Sequence, residues 1–166
     1  MRFAAALVVL AVVCAGAALV LGAGEGDKPA PLVFKNHGFS IAPLDETGKG
    51  AQQVLMMFLP ASDGFAPNVN VQAQEYADTM EAYVALSKSQ VEQMKLKVIS
   101  DKLADGVATM EYSGEVSGRQ LHWYVRAAKK GGTVYLVTAT ALESQWKNTS
   151  AKLKACVDSF QFQTAK

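Results

Sequence analysis

The chain has 166 residues, half of them hydrophobic, with 16 Lys and Arg against 15 Asp and Glu. Nucleic-acid binding draws on a surplus of cations that displaces counterions from phosphates, and a balance this even argues against it. With no low-complexity tract, no block of like charge and no internal repeat, the composition is that of an ordinary globular protein.

Met1-Arg2 precedes an apolar, small-residue run over residues 3–23, and Gly24-Glu25-Gly26-Asp27 follows. A short positive start, an apolar stretch and a small-residue exit describe a secretory signal peptide, here residues 1–24. The run is also long enough to span a bilayer, so a retained N-terminal anchor is the alternative. Lipidation at Cys14 is disfavoured, because Val13 stands where a lipobox carries Gly or Ala. All three fates put the domain outside the cytoplasm, periplasmic or secreted, and the membrane is reached only through an uncleaved leader. Removal of the leader also leaves Cys156 without an intramolecular disulfide partner.

Residues 25–31 are polar and Pro-containing and read as a linker, which assigns residues 32–163 to one α+β domain. Leu32-Val33-Phe34 and Phe39-Ser40-Ile41 are short strand candidates around Asn36-His37-Gly38. Residues 54–59, a continuous apolar run closed by Pro60, predict a strand buried on both faces. Val69 and Val71 alternate with Asn68 and Asn70 and predict another.

A helix follows, started by Asp78 with Glu81 or by Thr79, with Met80, Tyr83, Val84, Val91 and Met94 at helical spacing. Asp105-Gly106, Ser117-Gly118 and Gly131-Gly132 are turn dipeptides recurring about every dozen residues. They divide Lys97–Ala104, Val107–Val116, 119–128 and 133–140 into a four-stranded antiparallel meander.

A two-residue loop at Ser117-Gly118 pairs Tyr112 with Trp123, and a loop across Lys130-Gly131 pairs Val125 with Leu136. Alternation then collects Met110, Tyr112, Leu121, Trp123, Val125, Val134 and Leu136 on one face. Thr109, Glu111, Ser113, His122, Tyr124, Arg126, Tyr135 and Val137 collect on the other, more polar face. A closing helix, with a capping box at Thr140-Ala141-Leu142-Glu143, presents Leu142, Trp146, Leu153, Cys156, Val157 and Phe160. It is expected to seal the oily face, with Trp146 on the same side as Trp123. Both helices must lie on the sheet to bury their stripes.

The order of elements resembles the PsbP-like superfamily. That α/β/α sandwich is shared by the extrinsic P subunit of photosystem II, the nuclear Ran-GTPase release factor and bacterial DcrB-type envelope proteins. The resemblance rests on Gly38-Phe39-Ser40-Ile41 with Pro43, the Asn68-Val69-Asn70-Val71 strand, the helix over 79–94 and the meander. Tyr135-Leu136-Val137-Thr138-Ala139-Thr140 and Val157-Asp158-Ser159-Phe160 complete it. It implies a sandwich fold and protein binding in place of catalysis, but transfers no particular partner, and the leader argues against the nuclear role.

No metal-ligand spacing, nucleophile elbow or phosphate loop accompanies His37 and His122, so neither metal nor cofactor is expected. Asn148-Thr149-Ser150 is a glycosylation sequon set in a helix. The candidate partner-binding patch is Glu111, His122, Tyr124, Arg126 and Tyr135, with Glu111 opposite Tyr124 and Arg126 opposite Tyr135. The competing reading has a helix over this face, its polar groups bonded to one another. The expected function is a non-enzymatic envelope protein that binds a protein or peptide. The alternatives are an apolar-ligand carrier with a pocket lined by Met56, Met57, Met80 and Tyr83, and a hydrolase using Glu111 or His122.

Overall fold

The structure, a computed structural model, describes residues 32–34, 38–41 and 51–163. The leader, the linker, His37 and Pro43 lie outside these residues. The chain divides into two compact units, Met1–Gly50 and Ala51–Lys166. In the first, β1 (Leu32–Phe34) pairs antiparallel with β2 (Phe39–Ile41), matching Leu32 with Ile41.

The second unit is a six-stranded antiparallel sheet in the order β3-β4-β8-β7-β6-β5, with an α-helix on each face. Its strands are β3 (Ala51–Phe58), β4 (Asn68–Glu75), β5 (Lys97–Ala104), β6 (Val107–Val116), β7 (Arg119–Lys130) and β8 (Thr133–Leu142). The helices are α1 (Met80–Gln93), between β4 and β5, and α2 (Glu143–Asp158), after β8. The α+β sandwich read from the sequence is the fold observed.

Turn chemistry builds the meander. Asp105 and Gly106 have φ of 52° and 71°, and Ser117 and Gly118 have 52° and 74°. Two consecutive left-handed residues match the right-handed twist of the flanking strands, and Tyr112 pairs with Trp123 and Glu111 with Tyr124 as expected.

The third corner differs. Gly131 and Gly132 both lie in the loop, so Lys130 pairs with Thr133, Val125 with Thr138 and Arg126 with Val137. Tyr135 therefore stands opposite Ala128, not Arg126. The slip is two residues, and side chains repeat every two along a strand, so every residue keeps its face.

Helix α1 starts at Thr79, whose Oγ1 accepts from Ala82 N at 3.3 Å. Its Met80 and Tyr83 bury against Ala108, Ala127 and Val134, and its Val91 joins Met110, Tyr112, Leu121, Trp123 and Val125. The oily face is thus sealed by the first helix. Helix α2 lies on the other face, where Trp146, Leu153 and Val157 pack on Val69, Val137, Ala139 and Ala141.

Trp123 and Trp146 consequently occupy opposite sides of the sheet, against expectation. Small side chains explain the placement. Ala139 and Ala141 are fully buried on the face that carries His122 and Glu111, and their size lets a helix approach closely enough to bury large residues. The helix begins later than the capping box predicts, because Thr140 still pairs with Trp123 in the ladder. Gln145 Oε1 caps it instead, accepting from Leu142 N at 3.1 Å.

The apolar run at 54–59 is a strand, but it is not buried on both faces. β3 is the edge of the sheet, and Val54, Leu55, Met57 and Phe58 are 59, 45, 41 and 57 % exposed. Among the described residues no helix is long and apolar enough to cross a membrane.

Candidate functional site

The five residues singled out from the sequence all lie on the α2 face of β6, β7 and β8, in two groups. Glu111, His122 and Tyr124 sit beneath α2. Arg126 and Tyr135 lie nearer the β7–β8 corner, where Phe160 and Phe162 meet Tyr135.

His122 alternates with Leu121 and Trp123 on β7, so strand pleating alone sets it on the α2 face. Its side chain is only 5 % exposed. Nδ1 lies 2.9 Å from Glu143 Oε2 on α2, and Nε2 lies 3.0 Å from Glu111 Oε1 on β6. Trp146 stacks on the imidazole, 4.0 Å between centroids and 14° between planes. A carboxylate oxygen thus faces each ring nitrogen.

Glu111 joins the two halves of the cluster. Its Oε1 faces His122, and its Oε2 accepts from Lys154 Nζ at 2.8 Å. Burial pushes the Glu111 carboxyl up, but the hydrogen bonds and charges of Lys154 and His122 outweigh burial and hold it below the usual carboxylate range. Lys154 Nζ also lies 5.0 Å from the Tyr124 ring centroid and 5.7 Å from that of Trp146, within the range of cation–π attraction.

Tyr124 donates its hydroxyl to Asp158 Oδ1 at 2.9 Å. Burial, then the Asp158 acceptor and its charge, push this phenol up to about 12. The arrangement reads as a clamp for α2. Of the partners on the helix, Glu143 was expected in the capping box and Trp146 on the side of Trp123, and none of Glu143, Trp146, Lys154 and Asp158 was expected to meet His122, Glu111 or Tyr124. Their i, i+3/i+4 spacing could have suggested a common face, but pattern alone does not say which side of the sheet a helix covers.

Arg126 is different. It is half-buried, and its Nε is buried with no hydrogen-bond partner among the described residues. Its neighbours across the ladder, Thr109 and Val137, carry no charge. Tyr135, diagonal to it, belongs to an aromatic group with Phe160 and Phe162, at 6.2 and 5.3 Å between ring centroids. Lys130 Nζ lies 5.4 Å from the Phe162 ring. Arg126 therefore stands one diagonal step along the β7–β8 ladder from this aromatic group, and among the described residues it forms no ion pair.

The four residues of the expected apolar pocket do not converge. Met56 pairs with Asn70 and Met57 with Val69, so they point to opposite faces of β3, while Met80 and Tyr83 are buried under α1. The Tyr83 hydroxyl is taken up by Gln74 Oε1 at 2.8 Å. Among the described residues, no group of three or more His, Cys, Asp and Glu could hold a metal ion.

No protein-family model matches the sequence, and neither does any curated protein. Solved structures do match. A Pseudomonas aeruginosa protein of unknown function, PA94, superposes with a TM-score of 0.55 at 12% identity, over 82% of this chain and 98% of its own. That likeness is one of fold. LpqN of Mycobacterium tuberculosis, described as involved in cell envelope biogenesis, matches with a TM-score of 0.40 at 16% identity, over 61% of this chain and 65% of its own. The cyanobacterial PsbP of Synechocystis matches with a TM-score of 0.40 at 15% identity, over 87% of this chain and 99% of its own.

Proposed function

We propose that this chain is an exported, non-enzymatic binding protein of the cell envelope. It engages a protein or peptide segment through the surface around Arg126 and Tyr135. The observation that carries the reading is the contrast within one sheet face. His122 and Glu111, the groups with catalytic chemistry, are bonded to α2, whereas Arg126 has a buried Nε with no hydrogen-bond partner among the described residues, one diagonal step from Tyr135 in the ladder.

A guanidinium flanked by aromatics is the composition of contact hot spots, because it offers planar bidentate hydrogen bonding on a rigid apolar surround. The partner it suits presents a carboxylate for the fork and an apolar side chain for Phe160 and Phe162. Export rests on the leader pattern of residues 1–24.

Affinity capture of the tagged full-length chain from its native envelope, read by mass spectrometry, tests the proposal. Arg126→Ala and Tyr135→Ala should each reduce recovery of the enriched partner about tenfold, the effect of ~1.4 kcal/mol. Full recovery by both variants rules the patch out. Turnover of a chromogenic ester or glycoside that is lost in Glu111→Gln overturns the non-enzymatic reading.

A further inference from the structure

A neutral imidazole has one N–H to donate and one lone pair to accept, whereas an ionised carboxylate only accepts. His122 has a carboxylate oxygen within hydrogen-bond distance of both nitrogens, Glu143 Oε2 at 2.9 Å from Nδ1 and Glu111 Oε1 at 3.0 Å from Nε2. A neutral ring satisfies one of these contacts and turns a lone pair against an anionic oxygen in the other. Both are hydrogen bonds only when the ring carries two protons.

Charge balance requires the same proton. Among the described residues, the titratable groups facing the ring are Glu111 on β6 and Glu143 on α2, with Lys154 of α2 on the other oxygen of Glu111. Ser113 and Ala141, across the ladder on β6 and β8, carry no charge. Tyr124, next along β7 on this face, is a neutral phenol bonded to Asp158. Two carboxylates against one lysine leave a negative charge over, and an imidazolium cancels it.

The two contacts differ in what happens when the ring loses that proton. Glu111 is nearly buried, is held by Lys154 as well, and lies below the usual carboxylate range. It stays anionic and keeps the remaining N–H. Glu143 is half exposed and is the first residue of α2, where the helix dipole favours an anion. Its carboxylate is free to turn into water.

That first turn holds more than itself. Gln145 Oε1 accepts from Leu142 N, and the Gln145 amide donates to Ser62 and Phe65 in the connection between β3 and β4.

We infer that His122 is a proton-operated latch. As an imidazolium it fastens the first turn of α2 to the sheet through Glu143. On losing a proton it lets that turn and the connection bonded to Gln145 open, while the Lys154 end of the helix stays docked. The latch does not rest on the Arg126 patch. Histidine is the side chain whose charge ordinarily changes between about pH 5 and about pH 8, and that is the interval in which to look.

The full chain carrying His37→Gln, in which His122 is the only histidine, tests this by nitrogen NMR of the imidazole. At about pH 5 both ring nitrogens should be protonated, and at about pH 8 only Nε2. Over the same step, hydrogen-exchange protection corrected for the intrinsic rate should fall about tenfold at the start of α2 and at the Phe65 amide, as one charged hydrogen bond is lost. Protection at Leu153 and Val157, buried in the second half of the helix, should not change. Glu143→Gln should hold the first turn at both pH values, because an amide accepts from the imidazolium through its oxygen and donates to the neutral ring through its nitrogen.

A singly protonated ring at about pH 5 overturns the latch. So does equal loss of protection at both ends of α2, or no loss at either. A pH step that persists in Glu143→Gln would place the titration on another group, and overturns it as well.

Discussion

Lys154 Nζ lies 2.8 Å from Glu111 Oε2, and this contact ties the second half of α2 to the middle of β6. The Glu111 side chain is 13 % exposed, so its charge is largely withdrawn from water and depends on His122 and Lys154 for compensation. Removing one partner of such a group leaves the others desolvated and unpaired, and that penalty exceeds the net worth of the contact. Glu111→Ala should therefore lower stability by about 2–4 kcal/mol in urea unfolding. Glu111→Gln should cost less, because its amide oxygen still accepts one hydrogen bond.

The same carboxyl sets an acid limit. Glu111 titrates below the usual carboxylate range when folded, so the unfolded chain takes up its proton first as pH falls. Its stabilising contribution is complete above the ordinary carboxylate pKa and is lost as pH falls through the lower folded value. Unfolding midpoints measured from pH 6 down to about pH 3 should fall more steeply for the wild type than for Glu111→Gln. Parallel curves would show that the Lys154 and His122 contacts contribute nothing through this group.

At the alkaline end two phenols act in the opposite sense. Burial pushes Tyr112 up to about 12, and Tyr124 also reaches about 12 through burial and its Asp158 acceptor. A raised folded value means that the stabilisation is fully present below the ordinary tyrosine pKa near 10 and disappears as pH rises through about 12. Absorbance at 295 nm should show part of the five-tyrosine signal delayed until the protein unfolds. Tyr112→Phe should remove one phenol from the delayed phase, and Tyr124→Phe another.

Much of this architecture is legible in the sequence, and the failures share a cause. Turn dipeptides and alternation place Tyr112 opposite Trp123 because both signals are local. The β7–β8 corner is misplaced by two residues, yet faces survive since the error is even. What does not follow from local pattern is which layer covers which face. The apolar run at 54–59 looks like a buried central strand, because chemistry alone does not distinguish an interior strand from an apolar edge. Trp146 looks like a cover for Trp123 because both are large and apolar. Its actual position is fixed by the small size of Ala139 and Ala141, a property of the opposite face. The Gln145 amide, bonded to Ser62 O, Ser62 Oγ and Phe65 O at 2.8, 2.8 and 3.1 Å, pairs groups 80 and 83 positions apart in the chain. No periodicity announces such a contact.

Gly114 offers a sharper test of packing than any turn glycine. It occupies β6 on the α1 face, where a Cβ built on its backbone would lie 2.6 Å from Leu96 Cδ2 and 3.4 Å from Leu96 Cα. Leu96 is 6 % exposed and belongs to the cluster around Trp123, so its side chain cannot swing into solvent to make room. Gly114→Ala should cost about 1–3 kcal/mol, the range for overpacking a filled core, despite the gain in strand propensity that replacing glycine brings. Gly132 is the control: it has nothing within 4 Å of an added Cβ, so Gly132→Ala should change the urea midpoint little. A double variant, Gly114→Ala with Leu96→Val, should recover part of the loss by removing the clashing methyl. No recovery, or equal costs at positions 114 and 132, would mean that this close approach of Leu96 to β6 does not hold in solution.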